Sequence, residues 1–240
     1  TKILLNSIIS TKYAKAMGVD IKNYYLNTPM GRAEYIFINW ADIPDEIVRQ
    51  YNLAQFLHNG KVYFKVTKGM YGLPQAGKLA NDRLQTHLAK HGYKQNPLVP
   101  GLFTHETNNV AFVLWVDDFL VKYTTDKEAD HFISALRELY TISVDKEAKR
   151  YVGLKLDWNW EKRTCKISMP GYIKAVMHNF NHPQPKRPQD SPHKCKGKYG
   201  DGQKPLPLPP TEKEITAEQN KRLEKLLGSL LFYGMAIDGT

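Results

Sequence analysis

Residues 112–121 read FVLWVDDFLV. Two adjacent aspartates interrupt a run of residues that favour strands. A near-continuous apolar run is the pattern of a strand covered on both faces. One reading makes Asp117-Asp118 a hairpin turn, because Asp is a common turn residue. Against it, the pair has no Gly or Asn beside it and Phe119 follows directly. The other reading makes the pair a cation site. Two like charges at close range in a low-dielectric setting repel, and an unpaired buried carboxylate is costly. A hard divalent cation removes both costs and leaves room for substrate phosphates. That reading asks for a third carboxylate and a phosphate-bearing substrate.

The candidate for the third carboxylate is Asp20, in AMGVDIKNYYLN (residues 16–27). Placed on a different strand, it can meet Asp117-Asp118 at the centre of a sheet. Two divalent metals held by such carboxylates would activate an attacking hydroxyl and stabilise a leaving pyrophosphate.

Composition sets the frame. The 240 residues suffice for one large domain or two small ones, and 42% are hydrophobic, enough for a real core. Lys and Arg number 34 against 24 Asp and Glu, a formal charge of +10. That excess favours a polyanionic partner and says nothing about fold. Two cysteines, Cys165 and Cys195, imply no disulfide framework and point to a reducing, intracellular setting. No apolar run approaches a membrane span, and no secretory signal is visible.

Along the chain, residues 3–17 carry apolar groups at helical spacing and stop at Gly18, which predicts a helix there. EYIFIN and KVYFKV read as strands around a polar segment with a short helix. From Ala76 the pattern is helical through Leu84 and Leu88. Residues 126–140 form an amphipathic helix with Asp126 as its N-cap. KRYVGLKLDWNW and CKISM read as a strand pair. Eight of the 14 prolines fall in residues 182–210, which predicts a loop or linker. The end is helical again. These boundaries give a body over 1–181, a linker over 182–210 and a helical segment over 211–240. The fold class is α+β, an antiparallel sheet with helices on one face.

Four stretches in order carry a resemblance to a known family. VDIKNYYLNTPM, VTKGMYGLPQAGKLAND, FVLWVDDFLV, and RYVGLKLDW with CKISMPGYIKAVMHNF resemble the successive motifs of the reverse transcriptase domain of copia-type LTR retrotransposons. KLLGSLLFYGMA is similar to the family's closing helix. The resemblance spans nearly the whole chain. It implies a polymerase palm with partial fingers and the start of a thumb, and RNA-directed DNA polymerase activity. It also implies Mg²⁺, with Mn²⁺ as a substitute, and as partners an RNA or DNA template-primer and deoxynucleoside triphosphates. A cytoplasmic particle or the nucleus is the implied location.

Residue by residue, the resemblance makes Asp20 and Asp117 the metal-ligating carboxylates and Asp118 the third acid. The backbone carbonyl of Ile21 is a further ligand. Tyr25 lies under the incoming sugar and excludes a 2′-hydroxyl; its competing role is core packing. Leu73, Pro74, Gln75 and Gly77 line the nucleotide and template pocket, and Gln75 has the competing role of a helix cap. Gly153 sits where the primer terminus is gripped. Three departures stand out. Trp115 replaces the usual Tyr or Phe before Val-Asp-Asp. Tyr24 replaces a small residue and threatens to crowd the nucleotide floor. The basic upstream fingers segment and the integrase and RNase H neighbours of the family's polyprotein are expected to be absent from this chain. A catalytically inactive remnant that only binds nucleic acid is the alternative. His178, His182, His193 and Cys195 imitate a zinc site, but His-x-Cys falls short of the usual ligand pairs.

Overall fold

The structure, a computed structural model, describes residues 1–183 and 215–237. The order is α1 (Lys2–Ser10), β1 (Lys15–Ile21), β2 (Pro29–Asn39), α2 (Asp45–Gln50), β3 (Leu57–His58), β4 (Lys61–Lys68), α3 (Ala76–Lys90), β5 (Tyr93–Gln95), β6 (Leu102–His105), β7 (Ala111–Trp115), β8 (Asp118–Tyr123), α4 (Asp126–Arg137), β9 (Ile142–Asp145), β10 (Arg150–Tyr151), β11 (Leu154–Asn159), β12 (Thr164–Ser168), α5 (Tyr172–Asn179) and α6 (Ala217–Ala236). The chain forms two compact units, residues 1–166 and 167–240.

The first unit is built on an antiparallel sheet ordered β5-β6-β7-β8-β1-β9. Side chains alternate across a strand, so each strand serves two faces. Met17, Val19 and Ile21 of β1, Phe112 of β7, and Phe119 and Val121 of β8 form one core. Ala80, Leu84 and Leu88 of α3 and Phe132, Ile133 and Leu136 of α4 close it. Ala16, Gly18 and Asp20, with Asp118, Leu120 and Lys122, occupy the alternate positions and so point to the opposite face.

The expectation of helices on one face describes α3 and α4 but not α1. Lys122, on the opposite face, donates from Nζ to Ser7 Oγ and Thr11 Oγ1 at 2.8 Å each, which holds α1 there. The Arg163 guanidinium donates to the carbonyls of Ile9, Ala14 and Thr11 at 3.1, 3.0 and 2.6 Å. The Ile9 contact satisfies a carbonyl that the end of a helix leaves without a partner, and the Thr11 and Ala14 contacts hold the turn that follows.

The N-terminal helix is shorter than its apolar spacing predicts. It ends at Ser10, and Tyr13 takes a left-handed φ of 63° before the chain enters β1. β1 is buried on both faces, and a two-faced strand shows no alternation to separate it from a buried helix. Gly18 is therefore a strand residue. A Cβ there would lie 3.6 Å from the Arg150 carbonyl oxygen. The N-cap of α4 is Thr125 and not Asp126. Thr125 and Glu128 form a reciprocal capping box, which an Asp at the next position cannot make.

A second antiparallel sheet, ordered β2-β4-β3, lies in the chain between β1 and α3. Ile43, Leu53 and Val62 form its small core. Its other side exposes Tyr35, Phe37 and Tyr63, with the Lys61 ammonium 3.8 Å from the Phe37 ring centre. β10, β11 and β12 make a third sheet. In the second unit, the Tyr172 hydroxyl of α5 donates to the Ser229 carbonyl of α6 at 3.1 Å. The linker expected over 182–210 lies outside the described residues, apart from His182 and Pro183.

Candidate active site

Asp20 and Asp118 face each other directly across the β1–β8 ladder. Directly opposed residues share a face, with Cβ atoms roughly 5 Å apart. Trp115 pairs with Asp118, so Val116 and Asp117 form a two-residue hairpin between β7 and β8. Val116 has φ 58°, while Asp117 is outside the left-handed region. A positive φ at the first central position alone is the signature of a type II′ turn, which normally takes Gly there. A β-branched residue in that position is strained by about 1–3 kcal/mol. The two readings of Asp117-Asp118 thus meet: Asp117 is in a turn, and the turn sets both carboxylates beside Asp20.

Backbone and side-chain bonds fix the arrangement. The Ile21 N–H donates to the Asp117 carbonyl at 3.1 Å, which ties β1 to the tip of the hairpin. Ser143 Oγ donates to Asp20 Oδ2 at 3.3 Å. Burial pushes the Asp117 carboxyl above its usual range. A backbone hydrogen bond partly offsets this, and the Asp20 charge adds to it. Asp118 is pushed up by burial, then by Asp117 and Asp20. The half-buried group is a concentration of negative charge without a cationic partner among its described hydrogen bonds and ion pairs. A donor set of clustered carboxylate oxygens suits a hard divalent cation.

Tyr25 opens a short 3₁₀ turn after β1 and is half-buried. Its ring meets Tyr71 edge-on at 4.7 Å between centres. The Tyr71 phenol is pushed up by burial and then by the charges of Asp117, Tyr25 and Asp20, so it stands in the field of the carboxylates. A Cβ on Gly77 would lie 3.6 Å from Tyr25 Oη, and a Cβ on Gly69 would lie 2.7 Å from the Tyr25 carbonyl oxygen. The first spacing is ordinary contact; the second is a collision with backbone, so position 69 admits no side chain without movement. Beside Tyr25 a cavity of about 380 Å³ is lined by Tyr24, Gly77, Gln95, Leu114 and Val116, among others.

The other expected residues fall in different places. Gln75 is the N-cap of α3 but makes no side-chain cap bond. Its Nε2 donates to Glu34 Oε1 at 2.8 Å, tying α3 to β2. Leu73 is half-buried and Pro74 exposed in the turns that lead into α3. Gly153 stands with Val152 in the β10–β11 turn, at φ 76° and 47°. The Tyr151 hydroxyl beside that turn donates to the Val113 carbonyl at 3.5 Å, and burial followed by the Asp118 charge pushes the phenol up. That hairpin therefore sits on the carboxylate face. Tyr24 packs against Tyr25 and Tyr140 with its hydroxyl buried and unpartnered, so most of it belongs to the core. Sequence reasoning gave no role to Tyr71, Gly69 or Ser143. Gly69 and Tyr71 lie inside a quoted motif, but Ser143 had no signal. Of the imitation zinc set, His193 and Cys195 lie outside the described residues.

The family model described as "Reverse transcriptase (RNA-dependent DNA polymerase)" matches residues 4–188. The chain is a member of the reverse transcriptase family. This reverse transcriptase domain is 26% identical over 145 residues to a Saccharomyces cerevisiae protein described as "Putative transposon Ty5-1 protein". The match covers 58% of this chain and 42% of that protein, so the chain spans less than half the length of the curated relative. Candida albicans telomerase, solved with a fragment of telomeric RNA, aligns with 70% of this reverse transcriptase domain and 32% of its own chain. The identity there is 11% and the TM-score 0.39. The resemblance to copia-type retrotransposon enzymes read from the motifs accords with both the family and the Ty5 relative. Among the described residues, no helix is long and apolar enough to cross a membrane.

Proposed function

We propose that this reverse transcriptase domain carries the site of an RNA-directed DNA polymerase of retrotransposon type, adding deoxynucleotides to a primer 3′-hydroxyl. The observation that carries this reading is the register of Asp20 opposite Asp118, with Asp117 in the intervening hairpin. Asp20, Asp117 and Asp118, with the Ile21 carbonyl, would hold Mg²⁺ or Mn²⁺. Bound, such ions would lower the charge cost of the attacking hydroxyl and the departing pyrophosphate. The protein's own share is positioning. Ser143 orients Asp20, and the Ile21–Asp117 bond keeps the hairpin tip over β1. Tyr25, braced by Tyr71 and Gly77, forms the wall that excludes a 2′-hydroxyl. The Gln75–Glu34 bond steadies the entry to α3, and the Gly153 hairpin faces the primer end. The +10 charge supports binding of template-primer backbone.

Mn²⁺ binding followed by electron paramagnetic resonance, run beside filter binding and primer extension, tests the reading. Mn²⁺ binding and extension are expected to be lost in Asp117→Asn while primed template is still bound. Equal Mn²⁺ binding by the variant would overturn the site. A wild-type chain that binds Mn²⁺ and primed template but never extends would favour the inactive, nucleic-acid-binding remnant, for which the net charge is the supporting observation.

A further inference from the structure

Four of the eight histidines gather at one place where the polymerase reading needs none. His87 and His91 lie one turn apart at the end of α3. His131 is on α4 and His105 ends β6. The ring centres of His87 and His91 are 4.9 Å apart, those of His91 and His131 6.4 Å, and those of His131 and His105 5.3 Å. Glu138, just past α4, brings Oε2 to 3.2 Å from His91 Nε2. One ligand atom from each of His87, His91 and Glu138 lies within 4.8 Å of the others.

We infer that His87, His91 and Glu138 form a transition-metal site, of Zn²⁺ type, that joins α3 to α4. Three observations carry it. His87 in the last turn of α3 and His91, its C-cap, are four residues apart and bring their rings together, the spacing that chelates zinc in helical metal sites. Two imidazoles and one carboxylate are an established donor set for Zn²⁺, with water in the fourth position. The separation of His91 Nε2 and Glu138 Oε2 is close to the roughly 3.4 Å expected between two ligands that each stand about 2.1 Å from a tetrahedral metal.

The tautomer is also arranged. His87 Nε2 lies 2.6 Å from the Ala135 carbonyl, which can only accept. Nε2 therefore carries the proton and Nδ1 keeps its lone pair, the orientation that outer hydrogen bonds impose on metal-bound imidazoles. His87 and His91 are half-buried and Glu138 is exposed, so a hydrated ion can enter from solvent. This site is independent of the carboxylate group. Its nitrogen donors disfavour Mg²⁺, which prefers oxygen in an octahedral shell. An ion there would fasten the end of α3 to α4, while the start of the same helix supports Tyr25 through Gly77.

Titration of the 240-residue chain with Co²⁺, read by visible absorption, tests the inference. One equivalent is expected to give the intense bands of a tetrahedral site, displaced by Zn²⁺ and unaffected by excess Mg²⁺. His91→Gln should abolish those bands. Glu138→Gln, at an exposed position that folding does not need, should weaken binding at least about tenfold. Without metal both variants should melt as the metal-free wild type does, while Zn²⁺ should raise the melting temperature of the wild type most, of Glu138→Gln less and of His91→Gln not at all. Absence of the bands in the wild type, or unchanged affinity in Glu138→Gln, would overturn the site. Bands that persist in His91→Gln would assign the metal to other histidines or cysteines and would overturn it equally.

Discussion

Two hairpins of the first unit, one within the central sheet and one on its carboxylate face, obey opposite rules. The β10–β11 turn places Val152 and Gly153 at positive φ, the pattern of a type I′ turn, and puts glycine at one of the two demanding positions. The β7–β8 turn places Val116 at φ 58° with no glycine at all. One turn largely follows the chemistry of turns, while the other accepts strain to hold two carboxylates beside a third. Local rules tend to be broken where function requires it.

The largest effect that would sharpen this contrast is chemical. Asp117→Asn keeps the hairpin and removes a charge; primer extension should fall by about a thousandfold or more, whereas Gly153→Ala should leave a measurable rate. Comparable losses in the two variants, measured as extension rate per bound template, would erase the distinction between the hairpins.

The next effect is on stability without metal. Because burial and neighbouring charge raise the Asp118 carboxyl, the folded chain binds more protons than the unfolded chain between the usual carboxylate value and the raised one. Stability therefore falls as pH rises through that window. Asp118→Asn should lessen the fall, leaving the share of Asp117, and should melt higher than the wild type at neutral pH in chelator. A variant that melts lower would mean that Asp118 is held by a partner. Glu128 has the opposite sign. Burial pushes it up, but hydrogen bonds from Thr124, Thr125 and Asn109 outweigh that and bring it down to about 2. Its contribution is present above pH 4.5 and lost as pH falls towards 2, so Glu128→Gln and wild type should converge in acid thermal melts.

Smaller still are the backbone effects. Gly153→Ala meets no neighbour within 4 Å, so only the left-handed φ opposes it, at about 1 kcal/mol. Val116→Gly relieves strain but adds freedom to the unfolded chain, and the two should nearly cancel, within about 1 kcal/mol. Denaturant midpoints would resolve both. A loss of several kcal/mol at Val116 would show that its side chain, rather than the turn, holds the tip.

How much of this was legible depended on the kind of signal. The Asp117-Asp118 pair and its flanking strands were readable because Asp in an apolar run is conspicuous; Asp20 was readable from the motif order, but the strand that carries it was not. The start of α3 at Ala76 was readable from its turn punctuation. The end of α1 was not, since β1 is covered on both faces and its apolar run imitates a helix. Asp126 looked like a cap because Asp often is one, but the reciprocal bond between Thr125 and Glu128 decided the matter. Ser143 and Glu138 were illegible. Each acts through a partner more than 40 residues away in sequence, and no local pattern announces such a pairing.

The Arg163 guanidinium has a bearing on how this chain comes to be folded. A nine-residue helix is marginal alone. The closing turn of α1 and the residues just after it are held by a side chain about 150 positions downstream. On a ribosome, α1 would leave the exit tunnel about 150 residues ahead of Arg163 and wait for it before its end was secured. A segment made early is then locked late, and such distant closure slows folding. Release of Arg163 would loosen α1 ahead of the central sheet, so protease nicking near Thr11 should report the earliest step of unfolding.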